Sequence, residues 1–145
     1  NVFLYGGFKI RDGVNRSHDS NLIVAAHLAD PQVAGFDSTT LTNNIAVMSG
    51  GDFYGCVGDA FGQGTTAAGN KFFTPGDPTL PFSPGCNGAC QNLSCWQQNG
   101  PQFDKGSTIS DTVTVAQLIG WASERLGMPS PQAARVASGR VKIIN

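Results

Sequence analysis

Charged residues are scarce in this sequence. Asp, Glu, Lys and Arg make up 13% of the 145 residues, about half of the usual ~25%. The net charge is −1 and no cluster of Lys or Arg occurs, so the electrostatic footprint of a protein that binds nucleic acid or anionic lipid is missing. We therefore expect neither nucleic acid nor a membrane as a partner.

Long apolar runs are also missing. No segment approaches the ~20 apolar residues that cross a bilayer, and no series of basic, apolar and small residues marks a signal peptide. The length suits one domain. Because the chain opens and closes in strand-like runs, residues 1–4 and 142–145, we interpret it as part of a longer parent chain. The remainder of that parent, or a partner chain, is an expected partner.

Glycine, proline and a recurring asparagine are what the sequence has instead. There are 19 Gly and 8 Pro residues, a composition typical of turn-rich β structure. An asparagine followed by a short apolar run recurs at positions 1, 21, 44 and 70, at intervals of 20, 23 and 26 residues. A recurrence of this kind predicts a solenoid, in which each turn of chain buries its apolar face against its neighbours.

Asparagine suits the bends of such a repeat. Its side chain tolerates the left-handed backbone conformation and hydrogen-bonds nearby main chain. We therefore predict that Asn21, Asn44 and Asn70 stack at equivalent corners. The residues expected in or near the interior are Leu22, Ile45 and Phe72. The alternative is that asparagine precedes these strands only because it favours turns.

The predicted organisation is one domain with four segments. Residues 1–73 form the repeating rungs, with second strands predicted at 8–11 and 52–57. Residues 74–110 are predicted to be an irregular loop because Pro75, Pro78, Pro81 and Pro84 lie there together with three cysteines. Residues 111–128 form a helix that covers the open end of the sheet, and residues 129–145 form a short strand and tail.

The helix has recognisable limits in the sequence. Thr112 or Thr114 can cap its start, and Gly127 followed by Pro129 ends it. Its predicted apolar face consists of Val115, Leu118, Ile119, Ala122 and Leu126.

The four cysteines favour disulfides. Cys56, Cys86, Cys90 and Cys95 allow two disulfides in three possible pairings. A zinc site is the alternative, but zinc takes four ligands and both histidines lie far upstream. Two glycosylation acceptors, at Asn15 and Asn92, agree with the disulfides in predicting a secreted glycoprotein.

A resemblance to a known superfamily begins at Trp96. Residues 96–100 read Trp-Gln-Gln-Asn-Gly, and Asp104 and then residues 106–108, Gly-Ser-Thr, follow. This series resembles the signature W-Q-x-x-G-x-D-x-x-S found near the carboxyl end of right-handed parallel β-helix proteins of the pectate-lyase type. With the asparagine-headed runs, the resemblance covers roughly residues 1–128. It departs from the signature at residues 101–103, which separate the glycine from the aspartate.

The resemblance implies a fold and a class of function. The implied fold is mainly β, a right-handed parallel β-helix with an irregular disulfide loop and one C-terminal helix. Many such proteins bind or act on polysaccharides along an outward-facing sheet, as lyases, hydrolases or epimerases, although fold alone does not establish activity. The implied function is carbohydrate binding, with a lyase-like or epimerase reaction on an acidic polysaccharide.

Three residues are the candidates for catalysis. If Phe8 and Ile10 face the interior, Lys9 and Arg11 project side by side outward, where they can meet a uronate carboxylate. His18, in the next bend with Asp19, offers a proton-transfer group with a pKa near neutrality. The alternative is that all three belong to an ordinary solvated surface.

A further set of residues is predicted to contact substrate. Asp52 and Asp59 are the available carboxylate pair for a hydrolase, and Tyr5 and Tyr54 can pack on sugar rings. The alternative to an enzyme is a structural or adhesion module with a plain outer face. No run of closely spaced acidic ligands suggests calcium, and we expect no obligatory cofactor and no metal.

Overall fold

Short strands and two helices make up the described part of the chain. The computed structural model describes residues 1–4, 15–24, 39–48, 53–54, 64–75, 90, 92–98 and 103–129. Within these ranges the strands are β1 (Val2–Leu4), β2 (Ser17–Asp19), β3 (Leu22–Val24), β4 (Thr40–Thr42), β5 (Ile45–Val47), β6 (Thr66–Ala68), β7 (Lys71–Phe73) and β8 (Thr108–Ser110). The helices are α1 (Leu93–Gln98) and α2 (Val115–Leu126).

The strands form two parallel sheets. One sheet has five strands in the order β1-β3-β5-β7-β8, and the other has three in the order β2-β4-β6. Every strand pair is parallel. From β1 to β7 the chain alternates between the sheets, and β8 then joins the five-stranded sheet beside β7. The prediction of a mainly β chain with few helices is confirmed.

A two-residue corner joins each strand of the smaller sheet to the next strand of the larger one. Its first residue has a positive φ and its second is asparagine. The pairs are Ser20 and Asn21, Asn43 and Asn44, and Gly69 and Asn70, with first-residue φ values of 55°, 54° and 63°. Glycine and asparagine adopt this left-handed conformation at the lowest cost. At Gly69 a Cβ atom would lie 2.9 Å from Asn43 Oδ1, so a side chain would also clash there.

The corner asparagines form a hydrogen-bonded column, which we call the asparagine ladder (Asn1, Asn21, Asn44 and Asn70). Asn44 Oδ1 accepts bonds from the backbone N–H and the Nδ2 of Asn21, at 3.0 and 2.9 Å. Asn70 Oδ1 accepts the same pair from Asn44, at 2.9 and 3.1 Å. Asn1 Nδ2 donates to Asn21 Oδ1 at 3.1 Å. The predicted stacking of Asn21, Asn44 and Asn70 is confirmed.

The main core lies between the two sheets. It is built from the middle residue of each strand, because alternate side chains point to opposite faces of a sheet. Its buried members include Ile23, Leu41, Ala46, Ala67 and Phe72. Residues from outside the strands complete one end of this core: Phe53, Tyr54, Leu93 and Trp96.

A second apolar layer lies on the outer side of the five-stranded sheet. Leu22, Ile45 and Val47 are buried there against Ala122 of α2. The prediction that Leu22, Ile45 and Phe72 are buried is correct, but they do not share one interior. The register pairs Ile45 with Lys71 and Ala46 with Phe72, so only Phe72 lies between the sheets.

Helix α2 begins and ends where the sequence predicts. Thr114 accepts a bond from Gln117 N in a capping box, and Gly127 ends the helix with a φ of 61°. Leu118, Ile119 and Ala122 pack on the sheet. The remaining predicted members of the apolar face, Val115 and Leu126, are 50% and 37% exposed. The helix lies across the outer face of the five-stranded sheet instead of over its open end.

The positions of the second strands differ from the prediction. Strands β2, β4 and β6 stand directly before the corner asparagines, whereas the sequence favoured runs after them. Of the predicted runs, 8–11 and most of 52–57 lie outside the described residues. Segment 74–110, predicted to be irregular, contains α1 and ends in β8, which pairs with β7. The predicted strand and tail of 129–145 also lie outside the described residues, apart from residue 129.

The asparagine ladder predicts a large loss of stability when the Asn44 side chain is truncated. Asn44→Ala would leave the N–H and Nδ2 of Asn21 and the carbonyl of His18 without their bonds. Buried polar groups without partners are costly, so we expect a loss of about 3 kcal/mol in unfolding free energy. Urea denaturation measures it. Asn43→Gly, at the exposed neighbouring position, is the control, and an equal loss in both variants would contradict the special role of the ladder.

Two buried threonines predict substitutions that increase the unfolding free energy. Thr39 and Thr65 stand at equivalent positions before β4 and β6, are 0% and 1% exposed, and their hydroxyls make no hydrogen bond within the structure. Thr39→Val and Thr65→Val exchange this hydroxyl for a methyl of similar size. We expect each to raise the unfolding free energy by about 1 kcal/mol, while Thr66→Val on the outer face leaves it nearly unchanged. Destabilisation by the buried substitutions would refute the prediction.

Candidate functional site

The outer side of the three-stranded sheet presents polar side chains. In β2, β4 and β6 the middle residue faces the core, so the flanking residues face outward. We call their surface the polar face: Ser17, Asp19, Thr40, Thr42, Thr66, Ala68 and Lys105. The first six lie in the strands, and Lys105 joins them through a parallel bridge to Ala68. None of the seven is buried.

The register arranges the polar face in two rows. Ser17, Thr40 and Thr66 form one row of stacked hydroxyls. The other row runs through Asp19, Thr42 and Ala68 to Lys105. Neighbouring members of a row are about 4.8 Å apart, the spacing of paired strands. The face therefore repeats at a fixed interval, and one row has an acidic end and a basic end.

Asp19 is a fixed carboxylate on this face. Its Oδ1 accepts bonds from Thr42 Oγ1 at 2.7 Å and Asn43 Nδ2 at 2.9 Å, and its Oδ2 accepts one from Ser20 Oγ at 2.8 Å. These bonds lower the pKa of Asp19, with that from Thr42 contributing most, because they favour the charged form. Asp19 is therefore ionised at neutral pH and is unsuited to act as a general acid.

His18 lies on the other side of the same strand. It was predicted in a bend, but it is the middle residue of β2 and pairs in register with Leu41, which is buried in the core. Burial lowers the pKa of His18, and the charge of Arg16 adds to the effect. The side chain is half-buried. This corrects the predicted arrangement, since the candidate proton-transfer group does not share the polar face with Asp19.

Tyr54 is buried and has no surface for a ligand. It is 0% exposed, its ring stacks on Trp96 at a centroid distance of 5.5 Å, and its hydroxyl donates to Asp104 Oδ2 at 2.7 Å. Burial, followed by the charge of Asp104, raises the pKa of Tyr54 well above its ordinary value. The predicted contact with substrate is therefore wrong for Tyr54, whose position is in the core.

Asp104 closes the asparagine ladder. Its Oδ1 accepts bonds from Asn70 Nδ2 and Ser107 Oγ, both at 2.8 Å. Its Oδ2 accepts the Tyr54 hydroxyl and Trp96 Nε1, the latter at 3.0 Å. The carboxylate is fully buried, and burial raises its pKa despite these four donors. Asp104 thus joins the ladder, the aromatic end of the core and α1.

Several predicted site residues lie outside the described part of the chain. They are Tyr5, Lys9, Arg11, Asp52 and Asp59. Their roles stay predictions. Apart from Asp19, the residues of the polar face were not predicted, because uncharged hydroxyls resemble an ordinary strand surface. Their signal was the alternation of polar residues at 17 and 19, at 40 and 42, and at 66, directly before each corner.

The cysteine and glycosylation predictions are tested in part. Cys90 and Cys95 form a disulfide, which confirms that prediction for these two, while Cys56 and Cys86 lie outside the described residues. Asn15 is exposed before β2. Asn92 is also exposed, and its Oδ1 accepts a bond from Cys95 N at 2.9 Å.

Neither a metal-binding cluster nor a membrane-spanning helix occurs in the described ranges. No three His, Cys, Asp or Glu residues there are grouped so that they could hold a metal ion. Neither helix described is long and apolar enough to cross a bilayer.

The buried carboxyl of Asp104 predicts a pH-dependent effect. Its folded-state pKa is raised above the ordinary value of 3.8, so the folded protein binds this proton more tightly than the unfolded chain. The resulting stabilisation is complete below about pH 3.8 and is lost as the pH rises through the folded-state pKa.

We therefore expect the unfolding free energy of Asp104→Asn to fall further below that of the wild type at about pH 4 than at about pH 7. Chemical denaturation at both pH values measures this difference. Asp111→Asn, which removes an exposed carboxyl outside the cluster, is the control. A difference that shrinks on acidification would contradict the raised pKa.

Comparison with known proteins finds no similar protein. No protein-family model matches the chain, and neither a curated protein nor a solved structure matches it significantly.

Proposed function

We propose that the chain has the fold of a right-handed parallel β-helix protein of the pectate-lyase-like superfamily. Two features support this architecture. The chain alternates between two sheets whose strand pairs are all parallel, and equivalent corners carry asparagines that bond from one repeat to the next. A parallel solenoid stacks identical backbone units in this way. The handedness and the closure of the coil are part of the proposal.

The proposed function is binding of an acidic polysaccharide by a secreted protein, along the polar face. The observation that carries it is the pair of regularly spaced, solvent-accessible rows with Lys105 at one end. The row of hydroxyls matches a ligand that is itself a repeating series of hydroxyls, and the Lys105 ammonium of the other row can meet a carboxylate. The disulfide between Cys90 and Cys95 agrees with an oxidising compartment.

Catalysis of the lyase or epimerase type would depend on Lys9 and Arg11. In such a reaction two cations stabilise the charge that develops beside a uronate carboxylate as a proton is removed. Asp19 is held in its charged form by three hydrogen bonds, so it would position a sugar hydroxyl as an acceptor.

A structural or adhesion module is the alternative proposal, and one observation favours it. His18 faces the core and Tyr54 is buried in it, so neither is available to a glycan on the polar face. General acid–base catalysis requires a group within hydrogen-bond reach of the transferred proton. Neither of these two predicted groups is within such reach of a ligand on the polar face.

Binding to a panel of glycans tests the proposal. The wild type is titrated with polygalacturonate, alginate and hyaluronan oligomers by calorimetry at low salt. Lys105→Ala should weaken binding about two- to fivefold, the scale of an exposed ion pair. Lys71→Ala is the matched control, because Lys71 is also exposed but lies on the five-stranded sheet. Absence of binding to every acidic glycan, or equal effects of the two substitutions, would overturn the proposed binding face.

The same glycans distinguish the enzyme from the module. Incubation with each polymer is followed by ultraviolet absorbance of an unsaturated product and by assay of new reducing ends. An enzyme of the proposed type should lose product formation in Lys9→Ala and Arg11→Ala while retaining binding. Binding without any product would favour the adhesion module.

A further inference from the structure

The two ends of one row on the polar face carry opposite charges. Register places Asp19 beside Thr42, Thr42 beside Ala68, and Ala68 beside Lys105. Three strand spacings of ~4.8 Å put the charged ends about 14 Å apart. The two positions between them are uncharged. A linear ligand lying along this row therefore meets a cation at one end and an anion at the other.

Hydrogen bonds hold the Asp19 side chain in one orientation and in its charged form. Thr42 and Asn43 bond one carboxylate oxygen and Ser20 bonds the other, so rotation of the side chain away from a ligand would break three hydrogen bonds. The carboxylate is exposed. An anionic group placed beside it is repelled, whereas a sugar hydroxyl can donate a hydrogen bond to it.

We infer that the polar face selects a polysaccharide in which acidic and neutral units alternate, and discriminates against a polymer that is acidic at every unit. This inference rests on the proposed function. An extended pyranose unit is about as long as one strand spacing, ~4.8 Å. Four successive units therefore lie over Lys105, Ala68, Thr42 and Asp19.

The alternation decides which group meets Asp19. An acidic unit over Lys105 places a neutral unit over Ala68, an acidic unit over Thr42 and a neutral unit over Asp19. A homopolyuronate bound through Lys105 places a carboxylate on Asp19 in every such alignment. One repulsive contact at ~5 Å in water corresponds to about a fourfold loss of affinity at low salt.

Paired titrations of two polymers test this selectivity. Hyaluronan oligomers represent the alternating class and polygalacturonate oligomers of equal length represent the homopolymer. The wild type should bind the alternating oligomer more tightly. Asp19→Asn should raise the affinity for polygalacturonate about fourfold relative to that for hyaluronan. Asp111→Asn, an exposed charge removed outside the polar face, should change neither.

A second variant tests the same selectivity and leaves the hydrogen bonds of Asp19 intact. Ala68→Lys adds a cation at an uncharged position of the row, where only the homopolymer offers a carboxylate, so it should strengthen polygalacturonate binding about fourfold relative to hyaluronan. Circular dichroism and thermal melting check that both variants fold.

Two outcomes count against the inference in different ways. Equal changes for both polymers, or a wild type that prefers polygalacturonate, would overturn the selectivity and leave polysaccharide binding intact. A folded wild type that binds neither polymer would overturn the proposed function and the selectivity with it.

Discussion

The asparagine ladder is the interaction on which the rest of the described structure depends. The oxygens of Asn44 and Asn70 each accept two bonds from the preceding corner asparagine, one from its side-chain nitrogen and one from its backbone N–H. Because these groups are buried, a shift of one strand by one residue would leave several of them without partners. The ladder therefore sets the register of both sheets, and through it the position of every outward side chain.

The ladder ends on the buried carboxyl group of Asp104, which also bonds two aromatic side chains of the core. Asp104 accepts bonds from Asn70 and Ser107 on one oxygen and from Tyr54 and Trp96 on the other. The aromatic rings that supply two of these donors pack on the core between the sheets. Helix α2 covers a different surface, the outer side of the five-stranded sheet. The three-stranded sheet is thus the one whose described outer side is polar and accessible.

The difference between the outer sides of the two sheets explains why the polar face is the candidate for recognition. The five-stranded sheet packs apolar side chains on the core on one side and on α2 on the other. The outer side of the three-stranded sheet has one row of hydroxyls at a fixed spacing and a second row with a charge at each end. A repeating surface matches a repeating ligand, because one contact geometry recurs along its length. The charges then act on specificity more than on strength, since exposed ion pairs contribute little to affinity.

The sequence by itself determined the repeat, the parallel β class, the stacking of Asn21, Asn44 and Asn70 and the limits of α2, because corner chemistry and helix caps are local properties of a few neighbouring residues. Only the tertiary structure decided which residues meet. Leu22 and Phe72 look alike as apolar residues near a corner asparagine. They occupy strand positions that face opposite sides of the sheet, so Leu22 packs on the side of α2 and Phe72 lies between the sheets. His18 and Tyr54 look like surface groups and lie in or against the core, and Asp104 becomes the end of the ladder through partners 34 and 50 residues away. Burial and hydrogen bonding between distant segments depend on register and packing, and no local pattern encodes them.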